Sequence, residues 1–163
     1  MGKVVILGVF VADTAYRASR MPKMGETILG NSFALGPGGK GSNQAVAAGY
    51  LGADVTIITR LADDDFGKKY EQGLKKENVE YFYSKKKEEL PTGTCLILVT
   101  PDSERTMCTF LGTAGKINES DVSSDAIKKS EIIFLEGYLW DEGDPKKAFD
   151  KAINNANKVA MSL

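Results

Sequence analysis

The chain has 163 residues, of which 42% are hydrophobic and 26% are charged, as is usual for a globular domain. Its 21 basic and 22 acidic residues leave a formal net charge of −1, so no overall field favours a nucleic-acid partner or an anionic membrane. The absence of histidine excludes a histidine general base, a histidine-centred metal site and any catalytic triad built on histidine.

Four short apolar runs are predicted to be buried strands of a parallel sheet. They are Lys3–Phe10, Asp54–Leu61, Ser130–Gly137 and a run that begins at Lys158. The first, KVVILGVF, is a nearly continuous β-branched run. It is too short for the apolar core of a signal peptide or for a membrane span, so we expect a cytoplasmic protein.

Helical patterns separate these runs, and the alternation favours right-handed βαβ units. Ser42–Leu51 is rich in alanine and is followed by Gly52, where a helix stop is expected. In the second pattern an apolar residue recurs every four positions, at Phe66, Tyr70 and Leu74. In the third, Asp144 is expected to cap the helix and Pro145 to occupy its first turn.

Two extended segments interrupt the alternation. Glu26–Gly36 and Thr92–Gly112 are strand-like, and the second is predicted to be a hairpin that turns at Pro101–Glu104. We therefore predict an α/β fold: a three-layer, Rossmann-like, mostly parallel sheet with an inserted antiparallel β-lid. The lid strands are expected roughly at 14–36 and 91–112.

The last run, KVAMSL, is a strand that has just begun and has no helix after it. A domain that ends in a buried strand exposes an unpaired edge, so we expect residues 1–163 to be the truncated first half of a larger domain. Cys95 and Cys108 lie in apolar runs, and two cysteines in a chain of this length are no disulfide framework. Both are predicted to be small core or pocket-wall residues.

The stretch GPGGKGSNQAVAAG, residues 36–49, places glycines, a lysine and an asparagine before a helix of small residues. A Walker A loop would need glycine where Ala34 stands and a hydroxyl residue where Gly41 follows Lys40, so this motif is absent. A tight strand-to-helix corner with an exposed lysine is one interpretation that stays open.

A dinucleotide-binding turn is a second open interpretation of the same stretch. Gly36, Gly38 and Gly41 fit the pattern G-x-G-x-x-G before a helix. The pattern also needs an acid at the end of the next strand, yet the first acid there is Asp63, after Arg60. This interpretation is therefore weak.

A third interpretation is a sugar site at the start of the helix. Glycines at Gly38 and Gly39 would let a ligand touch the main chain itself. Lys40 and the amide of Asn43 can donate hydrogen bonds there, beside free N–H groups of the helix terminus. Vicinal hydroxyls suit this environment because they both accept and donate hydrogen bonds.

The run MGETILGNSFALGPGGKGSNQAVAAGYLGADVTIITRLADDDFG resembles the N-terminal signature of the ribokinase-like (PfkB) carbohydrate kinases. The opening GVFVAD, the hairpin PTGTCLILV–SERTMCTFLG and the strand that ends in FLEG are similar as well. The resemblance spans nearly the whole chain. It implies transfer of the ATP γ-phosphate to a primary hydroxyl of a sugar or nucleoside, with Mg²⁺ and often a monovalent cation such as K⁺. It also implies a possible homodimer through the β-lid.

Carried over position by position, the resemblance implies six acceptor-binding residues. They are Asp13, Gly38, Gly39, Lys40, Asn43 and Glu136. Asp13 and Glu136 would lie at the carboxyl ends of strands, where open α/β sheets bind ligands, and would accept hydrogen bonds from hydroxyls. Lys40 and Asn43 would donate. The alternatives are a helix cap for Asp13 and a surface acid for Glu136.

Two departures from the family pattern narrow the hypothesis. Val11 stands where ribokinases usually have a polar amide, and EGYLWD (Glu136–Asp141) is more similar to the nucleoside-kinase branch. The D-T-x-G-A-G-D-like motif that supplies the catalytic base of the family is absent. We therefore assign no catalytic, cofactor or metal residue to this chain and expect it to be inactive alone. The alternative is a non-catalytic half-domain that self-associates through its open sheet edge.

Overall fold

The computed structural model describes residues 2–82, 90–140 and 143–162. In chain order the strands are β1 (Lys3–Leu7), β2 (Val11–Ala18), β3 (Gly30–Gly38), β4 (Asp54–Ile58), β5 (Val79–Phe82), β6 (Thr92–Val99), β7 (Arg105–Gly112), β8 (Ile132–Glu136) and β9 (Val159–Ser162). The helices are α1 (Lys40–Tyr50), α2 (Asp65–Lys76), α3 (Ser124–Lys128) and α4 (Asp144–Asn155). Short 3-10 turns cover Thr113–Lys116, Glu119–Asp121 and Gly137–Leu139.

The main sheet is parallel throughout and has the strand order β5–β4–β1–β8–β9. Helices cover both faces of this sheet, and alternate residues of β1 therefore pack into two different hydrophobic clusters. Ile6 packs with residues of α1 and α2, including Ala45 and Tyr70. Val5 belongs to the opposite cluster, which contains Phe149 of α4. The predicted three-layer α/β fold is confirmed.

The second sheet is the lid, with the order β3–β2–β6–β7. β2 pairs antiparallel with β3, and β6 pairs antiparallel with β7, so the predicted hairpin with its turn at 101–104 is confirmed. The central pair, β2 and β6, is parallel. The lid is therefore mixed rather than wholly antiparallel, because both central strands start at its base and run outward.

Several predicted boundaries differ from the structure by a few residues; β3, for example, covers Gly30–Gly38 and not Glu26–Gly36. The first strand ends at Leu7 rather than at Phe10, since the chain leaves the main sheet at Gly8 and enters the lid as β2. The N-cap of α4 is Gly143, with a φ of +85°, and not Asp144. Asp144 is the first helical residue, where its carboxylate forms an ion pair of 3.1 Å with Lys147.

A cluster of hydrogen bonds ties the lid to α2. Asp64 is the N-cap of α2, where its Oδ1 accepts from the Gly67 N–H at 2.8 Å. Its Oδ2 accepts from the N–H of Thr92, the first residue of β6, at 2.8 Å. The Thr92 hydroxyl donates to Asp64 Oδ1 at 2.8 Å and accepts from the Ala62 N–H at 3.0 Å. We call Asp64 and Thr92 the hinge clasp.

Burial alone would raise the pKa of Asp64, but the hydrogen bonds from Gly67 and Thr92 hold it below its ordinary value. A buried ion pair of 2.7 Å between Arg60 and Asp121 joins the end of β4 to the segment that follows the lid. Both contacts lie at the base of the lid and therefore fix its position relative to the main sheet. Among the described residues, no helix has the length and hydropathy of a membrane span.

Candidate functional site

The glycine stretch lies where β3 leads into α1, and two backbone segments touch there. Gly39 is the N-cap of α1 with a φ of +92°, and a Cβ at this position would lie 2.4 Å from the Val9 carbonyl oxygen. A Cβ on Gly41 would lie 2.8 Å from the Cα of Gly8. Glycine is required at both positions because a side chain would push α1 away from the end of β1.

Glu136, the last residue of β8, is only 1% exposed. Its Oε2 accepts hydrogen bonds from the Val9 N–H at 2.7 Å and from the Gly41 N–H at 2.9 Å. Burial raises the pKa of Glu136, although these two donors and the charge of Lys40 favour its ionised form. The surface-acid alternative is therefore wrong. The carboxylate joins β8, the chain after β1 and the start of α1, so Oε2 is already engaged within the protein.

These bonds decide between interpretations of the glycine stretch. The Gly41 N–H is bound by Glu136, and the Ser42 N–H donates to the Val9 carbonyl at 3.3 Å. A carboxylate thus stands where a pyrophosphate would sit in a dinucleotide fold. The start of α1 does not fit a phosphate cradle. The described part of the chain also lacks any group of three or more Cys, Asp or Glu residues that could hold a metal ion.

The sequence predicts Asp13 at the carboxyl end of the first strand. The structure instead places it within β2, because β1 ends earlier. Its position in a strand also rules out the helix-cap alternative. The carboxyl group lies directly against Gly38, since a Cβ there would be 2.2 Å from its Oδ1. The Asp13 side chain makes no hydrogen bond to any residue that the structure describes. Burial raises its pKa, and the guanidinium of Arg105 partly offsets this effect.

Tyr70 of α2 is hydrogen-bonded to the lid strand next to Asp13. The Tyr70 hydroxyl donates to the Gly36 carbonyl at 2.5 Å, and Gly36 pairs with Asp13 across β2 and β3. The Tyr70 ring packs on Phe10 with ring centroids 4.6 Å apart. The sequence pattern placed Tyr70 only in an apolar stripe, because nothing in its spacing predicts a partner on the lid.

Lys40 and Asn43 are exposed on the first turn of α1. The Lys40 ammonium lies 5.8 Å from the centroid of the Tyr138 ring. The side-chain amide of Asn43 forms no hydrogen bond within the described ranges. Its position near the start of α1 follows only from its place on the first turn of the helix. Sequence reasoning did not single out Tyr138, although an aromatic residue directly after FLEG was a usable signal.

The two cysteines differ in their surroundings. Cys95 is buried, lies opposite Asp13 in the strand register and accepts a hydrogen bond of 3.2 Å from the Thr109 hydroxyl. Cys108 is free and exposed on the lid, so the prediction of a core or pocket-wall position is wrong for this residue. It lies on the opposite face of β7 from Thr109 because successive side chains alternate along a strand.

Comparisons with known proteins agree with this architecture. A sequence profile of the pfkB family carbohydrate kinases matches residues 1–161. The ribokinase of Mus musculus is 34% identical over 135 residues, which cover 82% of this chain and 42% of that protein. The chain thus spans less than half the length of this relative.

Solved structures show the same fold. The adenosine kinase of Sinorhizobium meliloti matches with a TM-score of 0.87 at 24% identity, over 99% of this chain and 56% of that one. The ribokinase of Arabidopsis thaliana, solved in complex with ribose and ATP, matches with a TM-score of 0.77 at 22% identity. That match covers 99% of this chain and 53% of the Arabidopsis chain.

Proposed function

Because this chain belongs to the pfkB family of carbohydrate kinases, we propose that the whole protein transfers the ATP γ-phosphate to a primary hydroxyl of a sugar or nucleoside. This chain would supply the acceptor-binding half of the site and be inactive alone. The observation that carries the proposal is the Asp13 carboxylate against Gly38, at the start of the helix that carries Lys40. The Asp13 carboxylate, which accepts hydrogen bonds, and the Lys40 ammonium, which donates them, thus lie on either side of backbone that carries no side chains at Gly38 and Gly39.

Each proposed residue has a distinct task. Asp13 accepts hydrogen bonds from acceptor hydroxyls, and Lys40 and Asn43 donate to hydroxyl oxygens. Gly38 and Gly39 let the sugar approach the main chain. Glu136 acts mainly through the backbone that it holds, and only its other oxygen, Oε1, would reach the acceptor. Together these residues orient the hydroxyl that reacts, which is a contribution of proximity.

ATP would supply the phosphoryl group, Mg²⁺ would neutralise its developing charge, and a monovalent cation such as K⁺ would assist. The described residues do not fit these groups, because the Gly41 and Ser42 N–H groups are engaged and no three described Cys, Asp or Glu residues form a group that could hold a metal ion. We therefore assign their sites to parts of the protein beyond this chain and derive no step through them. A cytoplasmic location, without nucleic-acid or membrane partners, completes the proposal.

A homodimer through the β-lid is part of the same proposal. By strand register, one face of the lid carries exposed apolar side chains; they are Tyr16, Phe33, Leu96 and Phe110. We call this face, opposite the one with Asp13, the outer lid face. A contiguous apolar surface of this kind favours association. It equally supports the alternative of a non-catalytic half-domain that self-associates, so acceptor binding must separate the two functions.

Calorimetric titration of the 163-residue chain with D-ribose, adenosine and NAD tests the proposal. We expect binding of a sugar or nucleoside and none of NAD. Asp13→Asn should weaken the binding at least about tenfold, because a carboxylate that accepts from a hydroxyl becomes a neutral amide. Asp63→Asn, at an acid that is 88% exposed, is the matched control. Absence of binding by the folded chain would favour the non-catalytic alternative, and NAD binding would contradict the site assignment.

A further inference from the structure

Tyr138 is an exposed aromatic residue on a fixed backbone. It follows Glu136 and Gly137, and Glu136 is buried and bound to two backbone N–H groups. The next residue, Leu139, is 4% exposed in the core, and the Trp140 N–H closes the turn onto the Gly137 carbonyl at 2.9 Å. The ring itself is 59% exposed. Both neighbours are thus anchored while the ring is available for contact.

The Tyr138 ring contacts one residue of the proposed acceptor site, Lys40. The Lys40 ammonium lies 5.8 Å from the ring centroid, within the range of a cation–π contact. Lysine has a flexible four-carbon stem, so an isolated Lys40 on the first turn of α1 would sample many positions. The contact restricts the ammonium to the space beside the start of α1.

Tyr138 also lines a cavity of about 380 Å³. The remaining lining residues are Leu111, Gly115, Lys116, Leu139, Asp144 and Pro145. Leu111 lies two residues after Thr109, which pairs with Cys95 opposite Asp13, so register places Leu111 on the Asp13 face of the lid. A volume in this range, lined by Leu111, Leu139 and Pro145 together with the charged Lys116 and Asp144, is large enough for a small planar molecule.

We propose that Tyr138 is a specificity residue of the acceptor site. Its ring positions the Lys40 ammonium against the sugar and forms the wall of a second subsite for a planar ring attached to that sugar. The favoured acceptor is therefore a nucleoside rather than a free pentose. The planar ring stacks on Tyr138, and Lys116 and Asp144 meet its heteroatoms. This inference rests on the proposed function of the acceptor site.

The position of Lys40 is tested by NMR without any ligand. A ring current should shift the ε-methylene protons of Lys40 upfield in the wild-type chain and in Tyr138→Phe. The shift should disappear in Tyr138→Leu and persist in Trp140→Leu, a control at a nearby aromatic that does not line the cavity. Unshifted Lys40 protons in the folded wild-type chain would overturn the positioning role.

Specificity is tested by calorimetric titration of the same variants with D-ribose and adenosine. Tyr138→Leu should weaken ribose binding about two- to fivefold through loss of the cation–π contact. Adenosine binding should weaken by roughly a further two- to tenfold through loss of stacking. Tyr138→Phe should bind both ligands as tightly as the wild type, because it keeps the aromatic ring. Equal losses for the two ligands, or binding of ribose without adenosine, would overturn the second subsite alone. Failure of both ligands to bind would reject the proposed function and the inference together.

Discussion

At Gly38 a single added methyl group would disturb the proposed acceptor site directly, because the Asp13 carboxyl lies against this residue. In Gly38→Ala the new Cβ would overlap the carboxyl group, which must rotate away. Since only the end of a side chain has to move, we expect a small change in stability but at least about tenfold weaker acceptor binding. Calorimetric titration and urea unfolding separate the two effects.

Gly36→Ala is the matched control, since a Cβ there meets nothing within 4 Å. It should bind the acceptor as the wild type does. Equal binding by Gly38→Ala and the wild type would contradict the assignment of Asp13 to the acceptor site.

Glu136 should matter for folding through its backbone hydrogen bonds. Glu136→Ala leaves the Val9 and Gly41 N–H groups buried without their acceptor, which should lower the free energy of unfolding by about 2–6 kcal/mol. Glu136→Gln keeps one oxygen that can accept from both, and should cost about 1 kcal/mol or less. Urea unfolding measures both. Equal destabilisation by the two variants would show that the charge, and not the acceptor oxygen, holds these segments.

At the residue scale, the sequence predicts only the chemistry that a local motif carries. The glycines and Lys40 stand out because their spacing is unusual, and their role in acceptor binding stays a prediction. The burial of Glu136 was not found, because its partners are backbone N–H groups 95 and 127 positions away. Tyr138 was missed for the same reason, since its contact with Lys40 exists only when β8 ends beside α1.

At the scale of elements, the hinge clasp should make the chain sensitive to acid. The pKa of Asp64 is lower in the folded chain than its ordinary value, so the unfolded chain takes up the proton at higher pH. The stabilisation is therefore present above the ordinary pKa and is lost as the pH falls through the folded-state pKa. Asp64→Asn should cost about 1–2 kcal/mol at pH 7, because the amide cannot replace both accepting oxygens.

Urea unfolding at pH 7 and at pH 3 measures this dependence. The difference between wild type and Asp64→Asn should shrink at the lower pH, whereas Asp63→Asn should resemble the wild type at both. A difference that is constant with pH would refute the linkage.

Element prediction failed where a tertiary contact redirects the chain. The apolar run Lys3–Phe10 is continuous in sequence, yet β1 ends at Leu7 because Gly8 packs against Gly41. β5 was overlooked because Val79–Phe82 is short and follows the helical pattern directly. The strands of the main sheet with β-branched runs, and the helices with an apolar stripe, were predicted because burial shapes their composition.

At the scale of the whole molecule, the outer lid face should set the oligomeric state. We expect the chain to dimerise and Leu96→Glu to weaken the dimer at least about tenfold, because an unpaired charge would be buried in the contact. Leu96 is 51% exposed and Met107, on the Asp13 face, is 53% exposed, so Met107→Glu is a matched control. Sedimentation velocity over a range of concentrations measures the dissociation constants. The prediction would be contradicted if the wild type stayed monomeric at about 100 μM, or if both variants changed the dissociation constant equally.

The parallel pairing of β2 with β6 has a consequence for synthesis and folding. It joins residues that are about 80 positions apart in sequence, with α1, β4, α2 and β5 between them. During translation, β2 and β3 leave the ribosome before β6, so one edge of β2 stays unpaired until β6 follows. Contacts of such long range slow folding, because the chain must close a large loop before they form. The lid therefore forms only after β6 and β7 have been added, and neither of its two segments alone can form the four-stranded sheet.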